Sequence, residues 1–320
     1  MEVLLATFNG ERFLREQVDS ILTQDYLSVR VLARDDGSTD QTPAILAEYA
    51  ERLPGRFTVL PSGEPTGSAM KNFGRLLQAA TARYVCFSDQ DDVWLPAKLR
   101  ISMEAMRRLE DRHGHELPLL VFTDLRVVDD ALRTVRGSMW DGAGIDPETI
   151  HRLPRLLGQN VVTGCTALIN SPMVELARPM PQTALMHDRW IGLLASALGA
   201  AEALRQPTVL YRQHDKNVIG AALDGKSVTS VAMRSRDDRG RRRERWRSEQ
   251  QAEALLGLYG AEMASAAKQA LTAYLRSGRS GSRLDRVWLT LRFGFFRSGL
   301  LRNAATFWDL WRARSSDPPS

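Results

Sequence analysis

The chain opens on a continuous apolar run, Val3 to Phe8, after which Leu14, Val18, Ile21 and Leu22 recur at helical spacing. Val29, Val31 and Ala33 alternate as a second strand, and Thr39 or Asp40 can cap a helix with Ile45, Leu46 and Tyr49 on its inner face. Phe57 to Leu60 predicts a third strand. After a loop from Pro61 to Ser68, Met70, Phe73, Leu76 and Leu77 mark another helix, and Tyr84 to Ser88 reads as a fully buried fourth strand. Strand alternating with helix predicts an α/β fold on a parallel, Rossmann-like sheet. Beyond Asp92 the rhythm changes to a mixed second half. Pro96 opens a helix to about Leu109, and Leu119 to Thr123, Thr163 to Asn170 and Thr208 to Tyr211 are further strands. A polar, Arg-rich stretch from Asp224 to Gly240 reads as a linker, which divides the chain into 1–224 and a helical region, 225–320.

At 320 residues, 43% hydrophobic and 25% charged, the chain is long enough for one large domain with an appendage. Its net charge of +5 is unevenly spread: residues 1–224 hold 24 Lys and Arg against 29 Asp and Glu, whereas 225–320 hold 19 against 9. The basic excess avoids the part that carries the chemistry, so an anionic membrane is a better partner than nucleic acid. Cys86 and Cys165 each lie in an apolar run, which suits buried thiols in a reducing cytosol. No secretory leader precedes the first strand, and a cytoplasmic protein is expected.

In open α/β sheets ligands sit at the carboxyl ends of the strands. Here those ends are Thr7-Phe8-Asn9-Gly10, Arg34-Asp35-Asp36-Gly37-Ser38-Thr39-Asp40 and Ser88-Asp89-Gln90-Asp91-Asp92, and none carries a G-x-G-x-x-G fingerprint. Three carboxylates in four residues repel one another unless a cation neutralises them. A hard divalent ion, Mn2+ or Mg2+, suits them and predicts a phosphate-bearing ligand; the alternative is an acidic turn capping the next helix. Asp35 and Asp36 can each accept from two vicinal ribose hydroxyls, Asp36 being the better placed. The alternative is an Asp-Gly turn with Asp40 as cap.

The segments VLLATFNGERFLREQVDSILTQ, RDDGSTDQT and FSDQDDVWLPAKL resemble inverting family 2 glycosyltransferases of the GT-A fold, a resemblance that extends from residue 3 to about 217. It implies a nucleotide-sugar half (1–110) and an acceptor half (111–224). It further implies that Thr7, Asn9 and Asp36 hold base and ribose, and that the family's D-x-D motif falls on Asp89 and Asp91, with metal on the diphosphate. Gln90 between the aspartates, followed by Asp-Val-Trp, is most similar to the rhamnosyltransferase branch.

Inversion also needs a base near the acceptor hydroxyl. The candidate is Asp188, seated by the helical stripe Trp190, Leu193, Leu194 and Ala197; a helix cap or an ion pair with Arg189 would be its structural roles. Asp124 is the next candidate. Gly164 resembles the glycine that shapes the floor beneath donor and acceptor, and reads equally as a strand glycine. In Tyr211-Arg212-Gln213-His214, His214 is a third metal ligand or an ordinary hydrogen-bonding residue, while Arg212 and Lys216 are partners for phosphate charge. His187 either orients Asp188 or packs. From Arg283 to Arg314, Trp288, Phe295, Trp308, Trp311 and regularly placed arginines suit a helix lying on an anionic membrane, or helices packed on the catalytic domain.

The expectation is therefore a metal-dependent inverting transfer of a sugar, by resemblance rhamnose from deoxythymidine-diphospho-rhamnose, to a cell-surface glycan acceptor that is lipid-linked at the cytoplasmic membrane face. A nucleotidyltransferase and a catalytically silent sugar-nucleotide-binding or glycan-binding subunit are the alternatives.

Overall fold

The computed structural model describes residues 1–26, 28–214 and 238–312. Its centre is a nine-stranded sheet in the order β3-β2-β1-β4-β8-β6-β9-β5, with β7 paired to β6 at the side. β1 (Glu2–Thr7), β2 (Arg30–Asp35), β3 (Phe57–Val59) and β4 (Tyr84–Ser88) are parallel, with Thr7 opposite Asp35 and Leu5 opposite Ser88. The loops that leave these strands therefore emerge on one edge.

Past β4 the sheet is mixed. β8 (Leu168–Asn170) runs antiparallel to β4 and to β6 (Leu119–Val128), whereas β9 (Ala200–Arg212) is parallel to β6 and antiparallel to β5 (Val93–Trp94). β7 (Thr134–Arg136) closes a short hairpin with β6. The strand expected over Thr163 to Asn170 is split, a 3-10 turn at Gly164–Thr166 preceding β8. β9 begins at Ala200, well before the expected Thr208.

Side chains alternate between two cores, one on each face of the sheet. Val3, Leu5, Cys86 and Val121 face one core, covered by α1 (Leu14–Leu22), α2 (Thr42–Arg52) and α4 (Lys98–His113). Leu4, Val85, Phe87 and Phe122 face the other, which receives α3 (Ala69–Ala79), α5 (Met139–Ala143), α6 (Leu153–Gly158), α7 (Ser171–Ala177) and α8 (His187–Leu198).

The same second core also contains Ala252 and Leu255 of α9 (Asp238–Tyr259), Leu271 and Tyr274 of α10 (Ser265–Arg279) and Leu289 of α11 (Arg283–Phe293). With α12 (Leu300–Arg312) these helices build onto the sheet domain rather than forming a detached appendage. Polar ties reinforce the seam: Tyr259 donates to the Leu176 carbonyl at 2.6 Å, and the Leu185 amide donates to Gln251 at 3.0 Å. The boundary expected near Asp224, and Lys216, lie outside the described residues. Among the described residues no helix is long and apolar enough to cross a membrane. On the outer side of α11 and α12, Leu284, Trp288, Leu291, Trp308 and Trp311 stand exposed, with Arg283 over the Trp311 ring and Arg312 over that of Trp308.

Candidate active site

The first loop turns at Asn9, whose φ of 49° lies in the left-handed region that Asn tolerates. Its side-chain oxygen accepts from the Thr39 amide at 2.9 Å, and its own amide donates to Ser38 at 2.7 Å, so the first two loops are laced together. Thr7 is buried and donates to Asp35 at 2.9 Å. Asp35 in turn accepts from the amides of Gly37 and Ser38 and from the Ser38 hydroxyl. The third loop joins them through Gln90, whose amide accepts from the Phe8 amide at 2.7 Å and donates to the Phe8 carbonyl at 2.9 Å. Gly10 leaves the room this needs, since a Cβ there would stand 2.2 Å from Gln90 Oε1. Thr7 and Asn9 thus brace the loops at the carboxyl edge of the sheet through these internal bonds.

Asp36, expected at the ribose, is engaged here by protein donors. Oδ1 accepts from Arg34 at 2.8 Å and the Thr66 amide at 2.7 Å, and Oδ2 accepts from the Thr66 hydroxyl and the Gly67 amide, both at 2.9 Å. Four donors fill the carboxylate's acceptor positions, so Asp36 fastens the 61–68 loop to the end of β2. Burial pushes its pKa up, but Thr66 and Arg34 outweigh that and hold the carboxyl below its usual range.

The acidic cluster divides by environment. Asp92 is fully buried, and burial, with Asp91 and Asp89 beside it, drives its pKa well up. Asp89 is partly open; burial, then the charges of Asp91 and Asp188, push it up to about 7. Asp91 is partly open too, and its Oδ2 lies 2.9 Å from His214 Nε2. Asp89, Asp92 and Cys165 also offer ligand atoms within 4.8 Å of one another. Burial drives the Cys165 thiol well up as well, so two members of that trio favour their protonated forms, and a thiol is a poor ligand for Mg2+ or Mn2+. A carboxylate and an imidazole facing a crowded negative cluster, as in Asp91 and His214, fit a divalent cation better.

Arg212, expected at the diphosphate, is held here by protein acceptors. It is buried, donating from Nε to the Asp91 carbonyl at 2.9 Å and from its two terminal nitrogens to the Asp130 carbonyl and Glu16. Its guanidinium covers the Phe13 ring at 4.4 Å, and His214 stacks on the same ring with centroids 5.2 Å apart. Arg212 therefore clamps the backbone that carries Asp91, and Phe13 sets the plane of His214.

Asp188 lies in the first turn of α8, whose helix dipole favours a carboxylate. Oδ1 accepts from Asn160 Nδ2 at 3.1 Å and the Arg189 amide at 2.5 Å, and Oδ2 accepts from the Gly164 amide at 3.1 Å. Burial nonetheless outweighs these donors and raises it to about 6. Gly164 serves this carboxylate and also leaves space for His187, whose Nε2 would stand 2.3 Å from a Cβ there. His187 packs on Phe73 and Phe87, with centroid distances of 3.9 and 4.9 Å, and burial lowers it to about 3, so it is a neutral packing residue. Asp124 is engaged with Ser138 and with the amides of Leu125, Met139 and Trp140, which leaves Asp188 as the carboxylate coupled to the acidic cluster.

The fold thus gathers Asp89, Asp91, His214, Gly164 and Asp188, while Thr7, Asn9, Asp36 and Arg212 hold the loops around them. Sequence reasoning missed Asn160 and the bridging role of Gln90. For Gln90 the signal was Gly10, a residue without a side chain opposite it; Asn160, a polar residue in a loop with no motif around it, gave none.

Residues 2–113 match the sequence family described as Glycosyl transferase family 2. The dTDP-rhamnosyl transferase RfbG of Shigella flexneri is 28% identical over 238 residues, covering 70% of this chain and 76% of that protein. The putative teichuronic acid biosynthesis glycosyltransferase TuaG of Bacillus subtilis is 33% identical over 106 residues, 33% of this chain and 41% of its own. Among solved structures, S. aureus TarS 1-349 superposes with a TM-score of 0.54 at 16% identity, covering 91% of this chain and 72% of that one. Its fold is the GT-A arrangement seen here.

Proposed function

Residues 2–113 place this chain among the family 2 glycosyltransferases, and on that premise we propose that it is a metal-dependent inverting enzyme that moves rhamnose from deoxythymidine-diphospho-rhamnose to a cell-surface glycan acceptor. The observation that carries the reading is that Asp91, paired with His214, and Asp188 both lie close enough to Asp89 at the carboxyl edge of the sheet to push its carboxyl up. Similarity to RfbG over most of the chain supports the donor. Asp91 and His214 would hold Mn2+ or Mg2+, with Asp89 at the nucleotide sugar beside them. When bound, such a cation neutralises the charge that builds on the departing diphosphate.

Asp188 accepts the acceptor hydroxyl's proton as that oxygen displaces the diphosphate at the anomeric carbon, in one inverting step. A carboxyl raised to about 6 is ionised at neutral pH, yet more basic than an ordinary aspartate. Asn160 and the Gly164 amide fix its orientation. The exposed tryptophans of α11 and α12, flanked by Arg283 and Arg312, support peripheral contact with an anionic membrane carrying a lipid-linked acceptor.

The test is a donor screen with manganese, reading thermal stabilisation and nucleoside diphosphate release together. Deoxythymidine-diphospho-rhamnose should stabilise the protein more than uridine-diphospho-glucose does and should release its diphosphate in a metal-dependent manner. Equal or reversed shifts would remove rhamnose from the assignment, and no turnover of any nucleotide sugar would make the chain a binding subunit.

A further inference from the structure

Behind α8, where the C-terminal helices meet the catalytic body, lies a cavity of about 280 Å3. At roughly 30 Å3 per water it has room for about nine waters, enough for a phosphate or diphosphate and below the range of pockets that enclose larger ligands. Asp89, Asp91 and His214 do not line it, so it is separate from the donor site. Five arginines do: Arg189, Arg242, Arg245, Arg297 and Arg302.

Arg245 is matched by Glu249 at 2.9 Å. Three of the others are under-matched among the described residues. Arg189 is 7% exposed; its terminal nitrogen donates only to neutral oxygens, those of Leu157 and Ser248, and its Nε meets no partner. Arg297 Nε is likewise buried without a partner. Arg302, half-buried, has neither hydrogen bond nor ion pair from its side chain. Glu244 stands 3.9 Å from Arg189 and 3.7 Å from Arg297, beyond hydrogen-bond length, and is 47% exposed at the rim. Asp309 also lines the cavity. Burial and the neighbouring Arg297 lower the Arg302 pKa, the signature of cations collected without a full set of counter-charges.

We propose that this cavity is an anion site, in which Arg189, Arg297 and Arg302 bind a phosphate group at a position distinct from the donor diphosphate. Guanidinium forks match the oxygens of a phosphate, and a small anion with several acceptors answers the buried Nε groups of Arg189 and Arg297, which neither Glu244 nor Asp309 meets. The site goes beyond the glycosyl-transfer reading and stands or falls independently of it.

The experiment titrates inorganic phosphate and diphosphate into the full-length protein, with chelator present, no nucleotide and constant ionic strength. At a hundredfold excess over Kd, the entropy of unfolding of a 320-residue chain converts binding into a Tm rise of about 4 °C. That rise should vanish in Arg297→Gln/Arg302→Gln and persist in Asp91→Asn. Arg302→Gln alone, at a half-buried site, guards against a double variant that fails to fold and should weaken phosphate binding about tenfold or more. Vesicles distinguish the sources. Binding to phosphatidic acid that needs Arg297 and Arg302, where equally anionic phosphatidylglycerol does not, assigns a lipid phosphate; stabilisation by soluble phosphate without that preference assigns a free one. No phosphate-dependent rise together with no phosphatidic acid preference, or an undiminished response in the double variant, overturns the proposal.

Discussion

Asp188→Asn isolates the proposed base, because the structure predicts that it changes chemistry while leaving stability near its starting value. The carboxylate accepts from Asn160, Arg189 and Gly164, and an Asn has one oxygen for them. With that oxygen toward Asn160 and Arg189, the Gly164 amide loses its acceptor, a cost of about 1–3 kcal/mol. Against this stands the ionised form's own burial. The folded value, about 6, lies above the unfolded 3.8, so the native state binds the proton more tightly. That contribution to stability is complete below about pH 4 and is lost as pH rises through 6, leaving a deficit on the order of 3 kcal/mol at neutrality. Asn removes the deficit, and the two effects nearly cancel at pH 7. Tm should therefore move by no more than a few degrees, whereas kcat at saturating donor and metal should fall by about 100-fold or more. The normal enzyme's rate should rise with pH through about 6 to a plateau, and the variant should lack that limb. Saturating metal matters because it keeps Asp89 ionised over the same range. A variant that keeps a tenth or more of its turnover, or the same acidic limb, would refute Asp188 as the base.

Asp91→Asn should weaken metal-dependent donor binding and turnover together, with added manganese restoring part of both; calorimetric titration showing unchanged metal affinity would exclude Asp91 as a ligand. Asp36→Ala leaves the buried Arg34 without its carboxylate and should cost about 3–5 kcal/mol, read as a Tm fall of several degrees, and an unchanged Tm would refute the fastening role. Because Asp36 is held below its usual range, its contribution is present above the unfolded value and is lost as pH falls through the folded one. Removing residues from 238 onward should yield an aggregated chain, since α9, α10 and α11 share the core of the catalytic body, so membrane contact is better tested by Trp288→Ser/Trp311→Ser. That variant should lose flotation with anionic liposomes at unchanged Tm, and full retention would count against membrane docking by this face.

The first four strands and three helices were legible because parallel strands buried on both faces give unbroken apolar runs, and the helices between them repeat every three to four residues. The carboxylate-rich loops followed from that register. β5 has only two residues, Val93 and Trp94, too few for any period, and β9 reaches through Gln206 and Pro207 across register irregularities opposite Thr123 and Asp124. The segment at Gly164 reads as strand by composition, yet its amide serves Asp188 rather than a neighbouring strand. At Asp36 and Arg212 the structure adds loop-fastening bonds that the sequence did not reveal, for a common reason: a charged side chain at a strand end can face a ligand or tie down its own loop, and spacing does not say which. Here Thr66 and Gly67 surround one, and Glu16, Asp130 and Phe13 the other.

The amide of Gln90, bonded both ways to the Phe8 backbone, makes the first loop and the acidic loop a single mechanical unit. Neither can be ordered without ordering the other. A ligand that stills the first loop leaves less freedom for the second to lose, so nucleotide and cation should each tighten the other's hold by the same factor. Cooperativity between donor and metal would then be a property of the empty scaffold, present before either ligand touches the other.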